Sequence, residues 1–322
     1  MAVALQVRQG TDDWLLARRE GIGSSDAPII AGERGSLVEL WGDKTGLAPR
    51  PAPDDALVER FRWGHRMEPL VAEAYTERTG RPLRRVMRLL QHPDVPWALA
   101  SLDRVSARKG ERRIVELKVS AIDAKYAGDE VPGDVLAQVQ HQMYVTGYEV
   151  ADVAVLTSYW RLDVFEVPRD DAYIADLLYL ERHFWEENVQ TRTLPSLDGS
   201  ETTRRVLARL YERNNGTMLP SSPDLDLLAG ELRAAKAEAK YAANHEATIE
   251  NALRTIIGDA DGFEGPWGRV TWKKNADSTK TDWLAIADEL LPIGPERVAA
   301  IARHTRVVEG PRVLRAHFKE DR

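Results

Sequence analysis

Two carboxylates and a lysine lie close together near the middle of the chain, in a pattern suited to metal-assisted attack on a phosphate. Side chains alternate along a strand, so in the segment RRIVELKV (112–119) Ile114, Glu116 and Lys118 share one face of a predicted strand. Asp103 lies at the end of the preceding strand, and a short turn allows it to lie beside Glu116. Adjacent carboxylates repel unless a cation separates them, and hard divalent ions prefer oxygen ligands. An ordinary hairpin with an exposed salt bridge would carry the same residues.

Two predicted helices carry further candidates. In WGHRMEP (63–69), Glu68 lies near the apolar stripe and His65 lies one turn before it, so the pair could be metal ligands or part of a surface ion pair. In AQVQHQMYVTG, Gln140 and Tyr144 share a helix face, whereas Gln138 lies on another face. A glutamine amide can donate to a water or to a phosphate oxygen.

The segment RREGIGSSDA places Arg18 before a glycine-containing turn and Ser25 at the start of an apolar run. Arginine, serine hydroxyls and free N–H groups at a helix start form an anion site, for which phosphate is the natural ligand. Simple capping of the helix by the serines is the alternative interpretation.

The elements that must position these residues follow from periodicity and from breaker residues. The middle of the chain reads as strands flanked by helices, and an extension follows a linker at 195–200. Helices are predicted over 12–19, 55–79, 134–147, 202–214 and 224–257, with a further helix ending near 189, and two short helices are expected at the end of the chain. Strands are predicted over 84–91, 97–106, 112–119, 151–157 and 162–167, with a hairpin over 262–274. The helix over 224–257 carries a heptad seam that suggests helix–helix packing.

Composition excludes several classes of protein. The chain has 322 residues, of which 43% are hydrophobic and 30% charged, so it can bury a core and is not wholly disordered. It has no cysteine, which excludes disulfides, a cysteine nucleophile, a zinc finger and an iron–sulfur cluster. No apolar stretch approaches a membrane span and no secretory signal is visible, so the expected location is the cytoplasm, with no membrane partner.

Charge is unevenly distributed along the chain. The net charge of −7 argues weakly against a nucleic-acid partner. Residues 60 to 118, however, contain 14 Lys or Arg and 7 Asp or Glu, whereas residues 119 to 200 contain 5 and 15. A chain polarised in this way can steer an anion to one face, although chance clustering on solvated helices would look the same.

Taken in chain order, these motifs resemble one family. The chain is similar to YqaJ-type phage recombinases and to lambda exonuclease, within the PD-(D/E)XK nuclease superfamily. The resemblance covers about residues 10–190 and is carried by five motifs in the family order. These are Arg18-x-x-x-Ile22-x-x-Ser25, Gly64 with Glu68, Ser101-x-Asp103, Glu116-x-Lys118 and Gln140-x-x-x-Tyr144.

The resemblance implies a role for each matching residue. Glu68, Asp103, Glu116 and the carbonyl of Leu117 match the metal ligands, Lys118 the catalytic lysine and Gln140 a glutamine that contacts the site, with Gln138 as its rival. Arg18, Ser25 and Ser101 match residues that hold a 5′-phosphate. His65 matches a metal-binding histidine of related nucleases only loosely. Arg104 stands where the lambda enzyme has glycine.

The resemblance also implies a fold and an activity. The expected fold is α/β (α+β): a restriction-endonuclease-like core with a central mixed sheet flanked by helices over 1–195, and a mostly helical extension over 200–322. The expected activity is 5′→3′ exonuclease action on linear double-stranded DNA with two Mg²⁺ ions, replaceable by Mn²⁺. It would make 3′ overhangs for phage-type recombination with a single-strand annealing protein, and a ring trimer is the expected assembly. An endonuclease or nickase on the same fold and a non-catalytic DNA-end-binding module are the alternatives.

Overall fold

The computed structural model describes residues 2–8, 10–120, 122–158, 160–266, 268–274 and 294–304. Contacts divide the chain into two units, 1–212 and 213–322. The division falls later than the linker at 195–200 because the helix over Glu201–Leu210 belongs with the first unit: its Val206 packs with Val38 and Ala48. Of the two short helices expected at the end of the chain, one lies at Pro295–His304, and residues 275–293 and 305–322 lie outside the described residues.

The strands and helices are numbered in chain order. The strands are β1 (Val3–Arg8), β2 (Ile22–Gly23), β3 (Leu83–Arg85), β4 (Arg88–Gln91), β5 (Ala98–Ala100), β6 (Arg104–Ser106), β7 (Arg113–Val119), β8 (Val150–Leu156), β9 (Leu162–Pro168), β10 (Gly262–Gly265) and β11 (Gly268–Thr271). The helices are α1 (Asp12–Arg19), α2 (Ala27–Ile30), α3 (Leu37–Thr45), α4 (Asp55–Thr79), α5 (Gly133–Thr146), α6 (Asp171–His183), α7 (Glu201–Leu210), α8 (Pro223–Ile257) and α9 (Pro295–His304). A 3₁₀ turn spans Asp123–Tyr126, and a π-helical segment, Phe184–Gln190, continues α6.

The central sheet of the first unit has five strands in the order β3-β6-β7-β8-β9. Strands β7 and β8 are parallel and are joined through α5, whereas the other neighbours in this sheet are antiparallel. A parallel pair needs a crossover connection, which α5 supplies. The expected mixed sheet flanked by helices is confirmed.

Helices cover both faces of this sheet. Ile114 on one face of β7 packs with Val139 and Met143 of α5. On the other face, Val115 packs with Val71 and Tyr75 of α4. Because side chains alternate along a strand, Glu116 and Lys118 share the face that α5 covers.

A second sheet has the order β1-β4-β5-β2. The predicted strands over 84–91 and 97–106 are each wrong as single strands, because the chain passes from one sheet to the other within them. Val86 and Met87 separate β3 from β4, and residues 101–103 separate β5 from β6. The second break leaves Ser101 and Asp103 in a turn at the junction of the two sheets.

The helix ends follow the capping residues. The prediction of a helix over 55–79 is confirmed, because the Asp54 carboxylate accepts the N–H of Leu57 at its start and Gly80 adopts a φ of 64° at its end. Gly147 ends α5 in the same way, with a φ of 69°. None of the described helices combines the length and the apolar character that crossing a lipid bilayer requires.

The second unit contains α8, the β10–β11 hairpin and α9 among its described residues. The long helix and the hairpin predicted from the sequence are both present. Five leucines and isoleucines of the predicted heptad seam are exposed in this chain: Leu225, Leu228, Leu232, Ile249 and Ile256.

Candidate active site

Asp103 and Glu116 lie side by side where β6 begins. Strand β6 pairs antiparallel with β7, with Arg104 opposite Val115, so one further step in this register sets Asp103 opposite Glu116. The Asp103 Oδ2 atom accepts a 2.9 Å hydrogen bond from the N–H of Leu117. The structure therefore brings together the two carboxylates that the sequence pattern placed in one site.

Lys118 and Gln138 both contact the Glu116 carboxylate. The Nζ atom of Lys118 lies 2.7 Å from Oε1 of Glu116, and Nε2 of Gln138 donates to the same oxygen at 2.6 Å. Lys118 also donates to Oε1 of Gln138 at 3.0 Å. Each of the three side chains thus contacts the other two, which holds the lysine beside the acid pair.

Gln142 is a site contact that the sequence analysis missed. This buried side chain donates through Nε2 to Oε2 of Glu116 at 2.9 Å and to the carbonyl oxygen of Ser101 at 3.2 Å. Both oxygens of Glu116 are therefore held by α5. The signal was present in the sequence, because Gln138 and Gln142 are four residues apart and share a helix face.

The prediction that Gln140 contacts the site is wrong. Its Nε2 donates to the carbonyl of Pro168 at 2.8 Å, and its Oε1 accepts the N–H of Asp170 at 3.0 Å. Gln140 is two residues from both Gln138 and Gln142, and with 3.6 residues per turn it must point to another side of the helix. It joins α5 to the junction of β9 and α6.

Two lower-ranked candidates also make contacts elsewhere. His65 is exposed on α4, and its Nδ1 hydrogen-bonds with the carbonyl of Phe61 at 2.8 Å. The ring of Tyr144 stacks on His92, with 4.4 Å between ring centroids. Neither contact involves the acid pair.

Helix α4 carries Glu68 to the edge of the site. Its Oε2 lies 3.6 Å from a guanidinium nitrogen of Arg85 and 3.8 Å from one of Arg104. Arg104, the residue that departs from the lambda enzyme, also donates to the carbonyl of Asp103 at 2.8 Å. The charge of Glu68 is felt at Asp103, where it contributes to raising the pKa of that carboxyl.

Crowding of the carboxylates sets the charges in the site. Burial, followed by repulsion from Glu116, raises the pKa of Asp103 to about 8. Burial lowers the pKa of Lys118, but attraction and hydrogen bonding to Glu116, together with attraction to Asp103, outweigh burial, so the net pKa of Lys118 is raised. Lys118 is therefore a cation at neutral pH, next to a carboxyl that holds its proton unusually strongly.

The donor set fits a divalent cation. Within the described ranges, no three acidic or histidine side chains already converge as a finished metal site. Asp103 and Glu116 are nevertheless adjacent, and their repulsion contributes to the raised pKa of Asp103. A divalent ion between the two carboxylates would remove that repulsion, and oxygen donors are the ligands that Mg²⁺ prefers. The Leu117 carbonyl and the Glu68 carboxylate would be the further ligands.

The predicted phosphate loop lies beside this acid pair. A guanidinium nitrogen of Arg18 donates to Oγ of Ser25 at 2.6 Å, and the same guanidinium stacks on the ring of Trp14 at 4.7 Å. The hydroxyl of Ser24 donates to the carbonyl of Ser101 at 3.4 Å. Since Ser101 is two residues from Asp103, the three predicted phosphate residues and the acid pair are neighbours.

A buried ion pair that the sequence did not indicate fixes this loop. The Nζ atom of Lys44 lies 2.6 Å from Oδ2 of Asp26 and donates to the carbonyls of Arg18 and Gly21 at 2.7 and 2.6 Å. All three ammonium donors are therefore satisfied. Gly21 is required here, because a Cβ atom would lie 2.4 Å from the carbonyl oxygen of Trp97.

Fold and site together define a mixed α/β protein with an acidic, lysine-containing site next to an arginine–serine loop. Residues 13–149 match the YqaJ-like viral recombinase domain. The chain is also 32% identical over 277 residues to the uncharacterized protein YqaJ of Bacillus subtilis (strain 168), covering 81% of this chain and 83% of that protein. The chain belongs to the YqaJ-like viral recombinase family.

Two exonucleases are among the solved structures whose backbones superimpose in part on this chain. An alkaline exonuclease from Laribacter hongkongensis is 20% identical, with a TM-score of 0.47 over 62% of this chain and 100% of that chain. A phage-related exonuclease from Haemophilus somnus is 12% identical, with a TM-score of 0.41 over 53% of this chain and 96% of that chain.

Proposed function

We propose that this protein is a Mg²⁺-dependent deoxyribonuclease that degrades linear double-stranded DNA from the 5′ end and leaves 3′ overhangs for recombination by strand annealing. The observation that carries the proposal is the set of mutual hydrogen bonds among Glu116, Lys118 and Gln138, next to Asp103. Membership of a viral recombinase family supports a DNA substrate.

The side chains of the site have distinct tasks in this proposal. Lys118 holds a positive charge where negative charge develops on the phosphate in the transition state. Gln138 and Gln142 hold Glu116 in one orientation, so its oxygens do not need to reorganise during the reaction. Two Mg²⁺ ions, which Mn²⁺ can replace, would supply the Lewis acidity that activates water and stabilises the leaving oxygen.

The arginine–serine loop accounts for the preference for a 5′ end. Arg18 presents a planar fork of N–H donors, which suits the oxygens of a terminal phosphate. Ser25, which already contacts Arg18, and Ser101 complete the proposed clamp. Lys44 and Asp26 hold the loop from inside the protein, so the clamp is ordered before DNA binds.

Assembly and partner also belong to the proposal. We propose that three subunits form a ring and that a single-strand annealing protein receives the 3′ overhang. A sedimentation experiment that found only monomer would remove the ring from the proposal.

The activity is tested by digesting linear duplex DNA that carries either a 5′-phosphate or a 5′-hydroxyl, with Mg²⁺ or with EDTA, beside a closed circular plasmid. We expect loss of the phosphorylated strand from its 5′ end, only with Mg²⁺, and an intact circle. Cutting of the circle would favour an endonuclease or nickase. Binding of DNA ends without cutting of either substrate would favour an end-binding module.

A further inference from the structure

A cavity lined by arginines lies between the two sheets of the first unit. Its volume is about 560 Å³, and four arginines are among the residues that line it: Arg84, Arg85, Arg88 and Arg112. In the part of the chain that the structure describes, no carboxylate lines it. Arginines around one concave surface with no carboxylate in its lining give it a positive field.

Among the described residues, three of these arginines form no ion pair with a carboxylate. Arg88 donates to the neutral amide oxygen of Gln6 at 2.8 Å. Arg112 donates to the carbonyl of Thr146 at 3.4 Å and stacks on the ring of Tyr148 at 5.2 Å. Across the described ranges, no carboxylate lies within ion-pair distance of Arg84, Arg88 or Arg112. Neutral partners therefore orient Arg88 and Arg112 and leave their charges available to an anion.

The fourth arginine joins the cavity to the candidate active site. Arg85 lines the cavity, and its guanidinium lies 3.6 Å from Oε2 of Glu68. Leu102 also lines the cavity, between the two site residues Ser101 and Asp103. Two residues of the cavity lining are therefore neighbours of residues assigned to the candidate active site.

We propose that this cavity binds the phosphodiester backbone of the DNA duplex beyond the nucleotide being cleaved, an inference that rests on the proposed nuclease function. Arginine forks match phosphate oxygens in geometry and charge. Duplex DNA carries one negative charge per about 1.7 Å of its axis, so a duplex held at the active site presents further phosphates to the neighbouring surface. The cavity is also wider than a single phosphate needs. A local cationic surface is required here because the whole chain has a net charge of −7.

The test measures binding of a 30-base-pair, 5′-phosphorylated duplex in EDTA, which prevents metal-dependent cleavage, by fluorescence anisotropy over a range of salt concentrations. The test variant is R84A/R88A, since both side chains are exposed and neither contacts the acid pair. Arg85 is left intact because of its contact with Glu68. The matched control is R182A/R204A, which removes the same charge from two helix arginines paired with glutamates of their own helical segments.

We expect R84A/R88A to bind the duplex more weakly and with a smaller salt dependence than wild type. Each lost phosphate contact lowers the slope of log K against log salt by about 0.9, so two lost contacts weaken binding about 60-fold at 0.1 M salt. The control should keep the wild-type affinity and slope. Wild-type binding by R84A/R88A, or an equal loss in the control, would overturn the proposal.

Two further arms separate this proposal from the proposed function. Calorimetric titration with inorganic phosphate tests whether the cavity binds free phosphate and not the DNA backbone. Phosphate binding that R84A/R88A abolishes, together with unchanged DNA binding, would overturn the DNA assignment. Digestion of the same duplex by wild-type protein with Mg²⁺ is measured in parallel. A wild-type protein that fails to digest the duplex contradicts the nuclease function. The difference in salt dependence between wild type and R84A/R88A tests separately whether the cavity binds DNA.

Discussion

Replacing Gln142 and Gln140 separately by alanine compares the glutamine that the structure assigns to the site with the one that the sequence favoured. Gln142 donates one hydrogen bond to the Glu116 carboxylate and one to a backbone carbonyl. Gln140 makes two hydrogen bonds with backbone groups only. Both side chains are buried, so both truncations should lower stability.

The expected losses of stability and of activity differ. A hydrogen bond to a charged group contributes about 1.5–3 kcal/mol and a neutral one about 0.5–1.5 kcal/mol. Gln142→Ala should therefore lose about 2–4.5 kcal/mol of unfolding free energy, and Gln140→Ala about 1–3 kcal/mol. If the whole free energy of the hydrogen bond to Glu116 stabilises the transition state, Gln142→Ala lowers kcat/KM roughly 10- to 150-fold. Gln140→Ala should leave kcat/KM within about twofold, since its partners lie at the junction of β9 and α6.

The assay combines urea unfolding with initial rates of digestion of a 5′-phosphorylated linear duplex, at a temperature where both variants are folded. Gln138→Ala serves as a second site variant, because it also loses a contact with Glu116. The reasoning is refuted if Gln140→Ala loses as much kcat/KM as Gln142→Ala when both are fully folded.

Three further predictions follow from the same geometry. Lys118→Ala should abolish cleavage and leave duplex binding intact; unchanged cleavage would exclude the lysine from the reaction. Arg18→Ala should erase the preference of the enzyme for 5′-phosphorylated over 5′-hydroxyl ends, measured as a ratio of digestion rates; a retained preference would place the clamp elsewhere. For His141, burial lowers the pKa, but attraction and hydrogen bonding to Glu181, with a hydrogen bond to Leu99 and attraction to Asp26, together outweigh burial and raise the pKa. This pair therefore stabilises the fold below the unfolded pKa of about 6.5 and loses its effect as pH rises through the higher folded value. Between pH 6 and 9 the Tm of wild type should fall more than that of His141→Gln, and parallel Tm curves would contradict this.

The acid pair could be predicted because its signals are local. Alternation along β7 places Glu116 and Lys118 on one face whatever surrounds them. A short turn then limits the registers available to Asp103. The limits of α4 were equally predictable, since Asp54 and Gly80 act on the helix within a few residues.

Features that depend on distant contacts could not be found in this way. No spacing rule connects Asp26 with Lys44, or Glu68 with Arg104, because these pairs form only when separate elements pack together. The strand over Val3–Arg8 was not predicted, although it pairs with β4. The choice of Gln140 over Gln138 came from the family pattern, and the geometry of the helix reversed it.

The parallel pairing of β7 with β8 has a consequence for how the protein is made. Arg113 pairs with Val150, so β7 gains this neighbour only after the whole crossover through α5 has been synthesised. A fragment that stopped at residue 149 would contain the acid pair and both site glutamines. Its β7 would nevertheless be an open edge of unpaired N–H and C=O groups, which invites intermolecular pairing and aggregation. On the ribosome, the edge of β7 is therefore covered only after the site residues have been synthesised, and a fragment without this open edge must include β8.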